Sequence, residues 1–376
     1  MSLTAPERGR DDYVDALRGV CIVSMLIVHF CAPPFAFRIS LSGVLGYVSG
    51  AEGFVFLSGL VFSQVYGTRL RERGVGVAGR SVLARWLWFY GLHLLTIAAT
   101  VLCGAVFPDA LVGEDPAFGL AVRAPWTAMG LAALLGYYPQ HMGILPIYIM
   151  LMPFAWLLVW RGWAGKAWVP IASILLWLAQ ATPHSLVRDH TTLSIFSPLG
   201  YQVLFFLGLW LGAQRWDPPF MASRFWLWLA AGLALACFVA SHLRMFLVPR
   251  EFVESFRAAL EWPLDKTSLG WLRIANFLPV AYLCFYFRKR LERLPLGYFA
   301  ALGRHSLSIF IGHLVFFLVL VEFHAHLRAK NTTLYNAYML GCIAVATTAI
   351  WAVGLLRAKR TRLRHEPAEA PLAQRT

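Results

Sequence analysis

Arg18 and His29 stand eleven residues apart in DALRGVCIVSMLIVHF, a stretch that is otherwise mostly apolar. An imidazole can take up a proton at neutral pH, and a guanidinium can grip a phosphate or carboxylate, so the pair has the means for acid–base work on an anionic substrate. Eleven helical residues rise about 16 Å in about three turns, which sets both side chains on nearly one face. An ionisable group at membrane depth costs about 3 kcal/mol or more and generally marks function. The bland alternative is a snorkelling arginine and a hydrogen-bonded core histidine.

The next apolar stretch carries AEGFVFLSG, residues 51–59, with Glu52 near the same outer end as His29. A buried carboxylate needs a partner, and the expected one is His29, which Glu52 would orient and keep basic. Gly59, seven residues on and on the same face, permits close approach of another helix or a thin acyl chain. Five arginines follow in VYGTRLRERGVGVAGRSVLARW, and guanidinium forks suit phosphate groups. Most of that charge serves topology, and the ligand role is expected of Arg80 and Arg85. A basic inner mouth and a base at the outer end suggest a donor arriving from the cytoplasm and an acceptor from outside.

These residues have to be carried by membrane helices. The 376 residues are 59% hydrophobic and 14% charged, with mean hydropathy +0.62, beyond what the surface of a soluble domain permits. Runs of about 20 apolar residues are long enough to cross a bilayer. The pattern predicts ten crossings, near 14–36, 44–66, 84–107, 144–160, 167–181, 199–214, 224–243, 270–287, 299–323 and 335–356. The apolar stretch 126–138 is too short and reads as re-entrant or interfacial. The fold class is therefore an all-α polytopic membrane protein, one domain over 1–376 with a basic tail from about 357. Continuous apolar runs, not alternating strands, exclude a transmembrane barrel.

About two thirds of the 33 lysines and arginines fall on the side that holds the N-terminus, which the positive-inside rule makes cytoplasmic. An even number of crossings then leaves both termini inside. The net charge of +14 follows from this topology and from attraction to anionic lipid, not from nucleic-acid binding. The first span has no convincing cleavage site and reads as a retained helix, not a signal peptide.

Other motifs carry little. GVGVAG at 74–79 satisfies GxGxxG, but no strand precedes it, and it reads as a turn between spans. HSLVRD at 184–189 fits a His-x4-Asp acyltransferase pattern by chance. The six cysteines lie scattered in apolar segments with no metal spacing, and no GxSxG elbow or HExxH zinc motif occurs. No metal is expected.

DALRG followed by His29, together with FVFLSG at 54–59, resembles the OpgC proteins of the acyltransferase 3 superfamily, bacterial polytopic membrane enzymes. The OpgC likeness continues in ILPIYIMLM (144–152), FSPLGYQVLFFLG (196–208), DKTSLGWLR (265–273) and LGRHSLSIF (302–310). The resemblance implies an inner-membrane acyltransferase that moves succinyl from cytoplasmic acyl-CoA, a substrate and not a resident cofactor, to glucose hydroxyls of a periplasmic glucan. It implies His29 as base, with Arg18 and Arg85 holding the donor. The family's arginine pair is spaced differently here, as Arg80 and Arg85, and Gly143 stands where an acidic residue is expected. Apart from the resemblance, the outer-side polar residues Gln202, Asp265, Lys266 and Arg273 are candidates to bind the glucan or the acyl carboxylate, against the stronger alternative that each is an interfacial anchor. Two rivals stand beside this reading: an O-acetyltransferase of another envelope polysaccharide, and a glycan or lipid transporter, which the lack of an internal repeat disfavours.

Overall fold

A computed structural model describes residues 11–32, 45–139, 142–180, 197–214, 223–246 and 263–365. HSLVRD and the tail beyond 365 lie outside the described residues, which are helical with no strand.

Helix α1 (Asp12–Phe30) starts where Asp11 accepts hydrogen bonds from the amides of Tyr13 and Val14, at 3.1 and 3.3 Å. Asp12 and Asp15 in its first turn favour the same start through the helix dipole. Helix α2 (Gly50–Val106) begins with Glu52 reaching back to the amide of Ser49 at 3.0 Å, one half of a capping box. Its 57 residues are interrupted at Gly74, whose φ of 74° lies in the left-handed region that glycine enters without a Cβ clash. The break reverses the chain. Phe54 and Phe89 both lie 6.2 Å from the ring of Tyr148, whereas a straight helix would separate them by about 50 Å. The expected spans 44–66 and 84–107 are thus two arms of one broken helix, and the arginine-rich link between them is helical rather than a loop.

Short helices α3 (Pro108–Glu114), α4 (Gly119–Arg123) and α5 (Pro125–Ala133) follow. The nine residues of α5 rise only about 14 Å. Then come α6 (Ile144–Trp160), α7 (Trp168–Gln180), α8 (Pro198–Ala213), α9 (Arg224–Phe246), α10 (Trp271–Tyr286) and α11 (Arg288–Leu291). The chain continues through α12 (Gly297–Arg304), α13 (Ser306–Val319), α14 (Val321–Lys330) and α15 (Thr332–His365).

Among the described residues four helices, α1, α2, α9 and α15, are long and apolar enough to cross a membrane, or five if α12 and α13 form one broken span. This is fewer than the ten expected from hydropathy. One reason is that α2 counts once although it doubles back. Another is that α6, α7 and α8 are apolar but have 17, 13 and 16 residues, less than the roughly 20 a perpendicular crossing needs. The expected continuous span 299–323 is bent by 73° at His305.

Glycines set the closest helix contacts. A Cβ on Gly19 would meet the carbonyl oxygen of Phe299 at 2.0 Å, and one on Gly303 that of Asp15 at 1.8 Å, so α1 and α12 touch backbone to backbone. Gly59 and Gly208 do the same between α2 and α8, against the carbonyl oxygens of Phe205 and Phe56 at 1.9 and 2.0 Å. Gly59 therefore serves helix packing, not an acyl chain. Gly208→Val should force α8 off α2 and cost about 3 kcal/mol or more, since overpacking at backbone contact has no side chain to yield. Thermal denaturation of the purified variant in detergent checks this, and a wild-type midpoint would contradict it.

Candidate active site

Arg18 and Arg85 line one cavity of about 910 Å³, enclosed by α1, both arms of α2, α6, α8 and the α12–α13 break. Arg69, Arg73 and Arg304 join them in its lining, so that arginines outnumber the carboxylates of Asp11, Asp15 and Glu72 and the cavity is net basic. Arg18 donates to the Ser306 hydroxyl at 2.9 Å, lies 3.8 Å from Asp15 and stacks over the Phe54 ring at 5.4 Å. Arg85 stacks over Phe89 at 4.7 Å, one turn along its own helix. The break at His305 has a consequence here, because residues 305–308, the start of α13, line the same cavity. The positive end of that helix adds to the pull on an anion beside Arg18.

Arg80 does not reach this cavity. It is exposed, and its Nε donates to the carbonyl of Gly76 at 3.2 Å. Arg69 and Arg73 take the place expected for it; Arg73 immediately precedes the Gly74 break and Arg69 lies one turn earlier. A wider vestibule of about 1700 Å³ adjoins, sharing Gln64, Thr68, Arg304 and His305. Two of its arginines, however, are committed to acidic partners: Arg288 to Asp11 and Glu292, at 2.9 and 2.7 Å, and Arg304 to Asp12 at 2.9 Å.

His29 stands beyond the described end of the 910 Å³ cavity. Its Nδ1 lies 3.0 Å from Nε2 of His313, with ring centroids 5.1 Å apart. Phe310, which lines the cavity, meets the His313 ring edge-on at 5.0 Å and so separates the cavity from the histidine pair. The two contacts Arg18–Ser306 and His29–His313 fix α1 and α13 side by side and running the same way. The helical rise between partners is about 16 Å on α1 and about 11 Å on α13.

Glu52 is not the partner of His29. The carboxylate is fully buried, and Arg273 of α10 holds Oε1 by two nitrogens, its Nε at 2.8 Å, while Ser49 holds Oε2 by its amide and hydroxyl. The sequence placed Glu52 and His29 at the same depth but could not tell which helix faces which. A guanidinium satisfies a buried carboxylate in charge as well as hydrogen bonds, which a neutral imidazole does not.

The other candidates expected on the outer side have partners within the protein near that ion pair. Gln202 is buried and doubly bonded to Ser173 of α7, accepting from its hydroxyl at 2.5 Å and donating to its carbonyl at 2.7 Å. Asp265 caps its own turn, accepting from the amides of Thr267 and Ser268 at 3.0 and 2.8 Å. The carbonyl of Lys266 accepts from the Tyr201 hydroxyl at 3.0 Å. Every carbonyl from Asp265 to Leu269 is bonded, the others by Gly270, Ser197, Gln180 and Trp177 at 2.8 to 2.9 Å. That complete bonding holds Leu269 at φ 56°, a conformation costly for a branched side chain. DKTSLG is thus a rigid turn that sets Arg273, at the start of α10, against Glu52.

Sequence reasoning missed His313 and Ser306. Both were visible as polar residues inside the apolar run LGRHSLSIFIGH, but only the fold brings α13 against α1. Among the described residues no group of three His, Cys, Asp or Glu could hold a metal.

Comparison with curated proteins and with solved structures gives no match. A family model described as OpgC protein matches residues 10–360, from the start of α1 into the last turns of α15 and so across the whole described site. Since the match takes in nearly all of the sequence, the chain belongs to the OpgC protein family.

Proposed function

We propose that this OpgC-family chain is a membrane acyltransferase that transfers succinyl from cytoplasmic succinyl-CoA to a hydroxyl of a periplasmic glucan, with His29 as general base. Family membership implies the acyltransferase class. The observation that best supports the finer reading is the basic cavity holding Arg18 and Arg85, with His29 three helical turns further along α1. In this reading the arginines hold the phosphates of the donor at the inner side, and the thioester reaches past Phe310 toward the histidine pair. His29 removes the hydroxyl proton as the sugar oxygen attacks the thioester carbonyl. The carbon–sulfur bond breaks, the electron pair leaves on sulfur, and the proton passes to that thiolate. Base catalysis of this kind contributes about 10²- to 10⁴-fold.

The topology that goes with this reading has ten crossings and both termini in the cytoplasm. The reversal at Gly74, which gives α2 two arms, and the excess of lysine and arginine on the N-terminal side support it. The inner membrane is the compartment where a cytoplasmic donor and a periplasmic acceptor meet. An O-acetyltransferase would use the same groups and differ in the donor, so succinyl-CoA and acetyl-CoA offered in parallel to the purified protein, with glucan as acceptor, test the choice. Faster thiol release with succinyl-CoA is the expected result; a preference for acetyl-CoA overturns the succinyl assignment.

Arg85→Ala should raise the donor KM about tenfold with little change in kcat, because a charge-assisted bond to phosphate is worth about 1.5–3 kcal/mol and does not touch the reacting carbonyl. Arg80→Ala, outside the cavity, should leave both constants unchanged. Donor titrations of the two variants check the contrast.

A further inference from the structure

His313 meets the one ring nitrogen of His29 that decides whether His29 can act as a base. A neutral imidazole carries one N–H and one lone pair, so the hydrogen bond between His29 Nδ1 and His313 Nε2 has two possible senses. If His313 donates, His29 keeps its proton on Nε2 and has no lone pair to offer a hydroxyl. If His29 donates from Nδ1, its Nε2 is the basic nitrogen.

The surroundings of His313 select the second sense. Its ring is buried and packed edge to face between Phe30 at 5.9 Å and Phe310 at 5.0 Å, which resists a turn of the ring that would exchange its nitrogens. Nδ1 is buried and makes no hydrogen bond with a donor or an acceptor. The backbone groups that interact with the ring are the carbonyls of Ile309 and Phe310, one turn back on α13. Side chains that fold back along a helix meet carbonyl lone pairs there, because the amides are committed to the helix itself. A nitrogen that faces only acceptors carries the proton, which leaves Nε2 of His313 as an acceptor.

We propose that His313 is the positioning residue of the reaction: it accepts the Nδ1 proton of His29, and so fixes His29 in the tautomer and orientation whose Nε2 takes the proton of the acceptor hydroxyl. This rests on the reading of His29 as base. The role is that of the third group in a nucleophile and base constellation, filled by a neutral imidazole and not by the carboxylate expected from sequence. When His29 becomes an imidazolium its Nδ1–H bond to His313 becomes charge-assisted, which stabilises the charge at the moment it forms. His313 gains no net proton, and the one taken by His29 leaves on the thiolate of CoA.

The test uses the full chain purified in detergent, with succinyl-CoA, glucan and thiol release as the readout. His313→Leu should lower kcat about 100-fold, within the range for general-base catalysis, with the donor KM changed less than about twofold. His313→Gln should recover most of that loss, because its Oε1 falls where Nε2 was and can accept from His29. His313→Asn, one carbon shorter, should not. Wild-type kcat in His313→Leu, or a Gln variant as impaired as the Leu variant, would overturn the proposal. If His29→Ala keeps full turnover, it is instead the base reading that fails. Should His313→Leu not fold, nitrogen shifts of the ¹⁵N-histidine-labelled wild-type protein decide, with His29→Gln used for assignment. A protonated Nδ1 and bare Nε2 on His29 support the proposal, and the reverse overturns it.

Discussion

His29→Ala should reduce acyl transfer at least about 100-fold, and no donor concentration should restore it, because removal of the base acts on the chemical step and not on binding. The variant should insert and fold. His29 is half-buried at the end of α1, one residue from the helix terminus, and its removal leaves Phe30 in place against His313 and Phe316. The same substitution separates this reading from a purely structural histidine, whose loss would lower stability and leave turnover per folded molecule intact. Arg85→Ala provides the control, since raising the donor concentration should rescue it.

The second large effect concerns stability. Glu52 is fully buried and the Arg273 side chain is 11% exposed, so removing either partner leaves a buried charge without its counter-ion. Breaking such a pair costs about 3–5 kcal/mol. Glu52→Gln and Arg273→Met should therefore each lower the folded fraction in detergent sharply. The double variant should be more stable than the sum of the single losses implies, by about 2 kcal/mol or more, because it removes both charges together. Thermal denaturation of the four proteins gives this cycle directly. If Glu52→Gln instead kept wild-type stability and lost turnover, the carboxylate would be acting in the chemistry and not in holding α2 to α10.

The helical class and the RX10H pair were legible because each is a local property: apolar runs mark helices, and a spacing of eleven fixes a helix face. Arg18 and Arg85 were legible for a similar reason, as arginines at the ends of two apolar segments. The partners were not. Glu52 and His29 share a depth, and hydropathy reports depth, but the azimuth of each helix is set by tertiary contacts such as Gly19 against Phe299 and Gly59 against Phe205. Other side-chain contacts set α13 against α1, through Arg18–Ser306 and His29–His313, and α10 against α2, through Arg273–Glu52, which is why His313, and not Glu52, meets His29. Gly74 was read as a turn and the arginines around it as a loop, whereas one left-handed residue suffices to reverse a helix whose other residues stay helical. The internal partners of the outer polar candidates were not legible either, because a polar group buried in a bundle is first needed to satisfy backbone and side-chain partners, as Gln202 and Asp265 do.

The most direct test of the central claim is mass spectrometry of a glucan incubated with the purified chain and succinyl-CoA. The account predicts sugars heavier by one succinyl unit each, esterified at hydroxyl oxygen, with one free CoA thiol released per ester and no ester formed by His29→Ala. Unmodified glucan beside active wild-type protein, or equal ester from His29→Ala that is correctly folded, would contradict it.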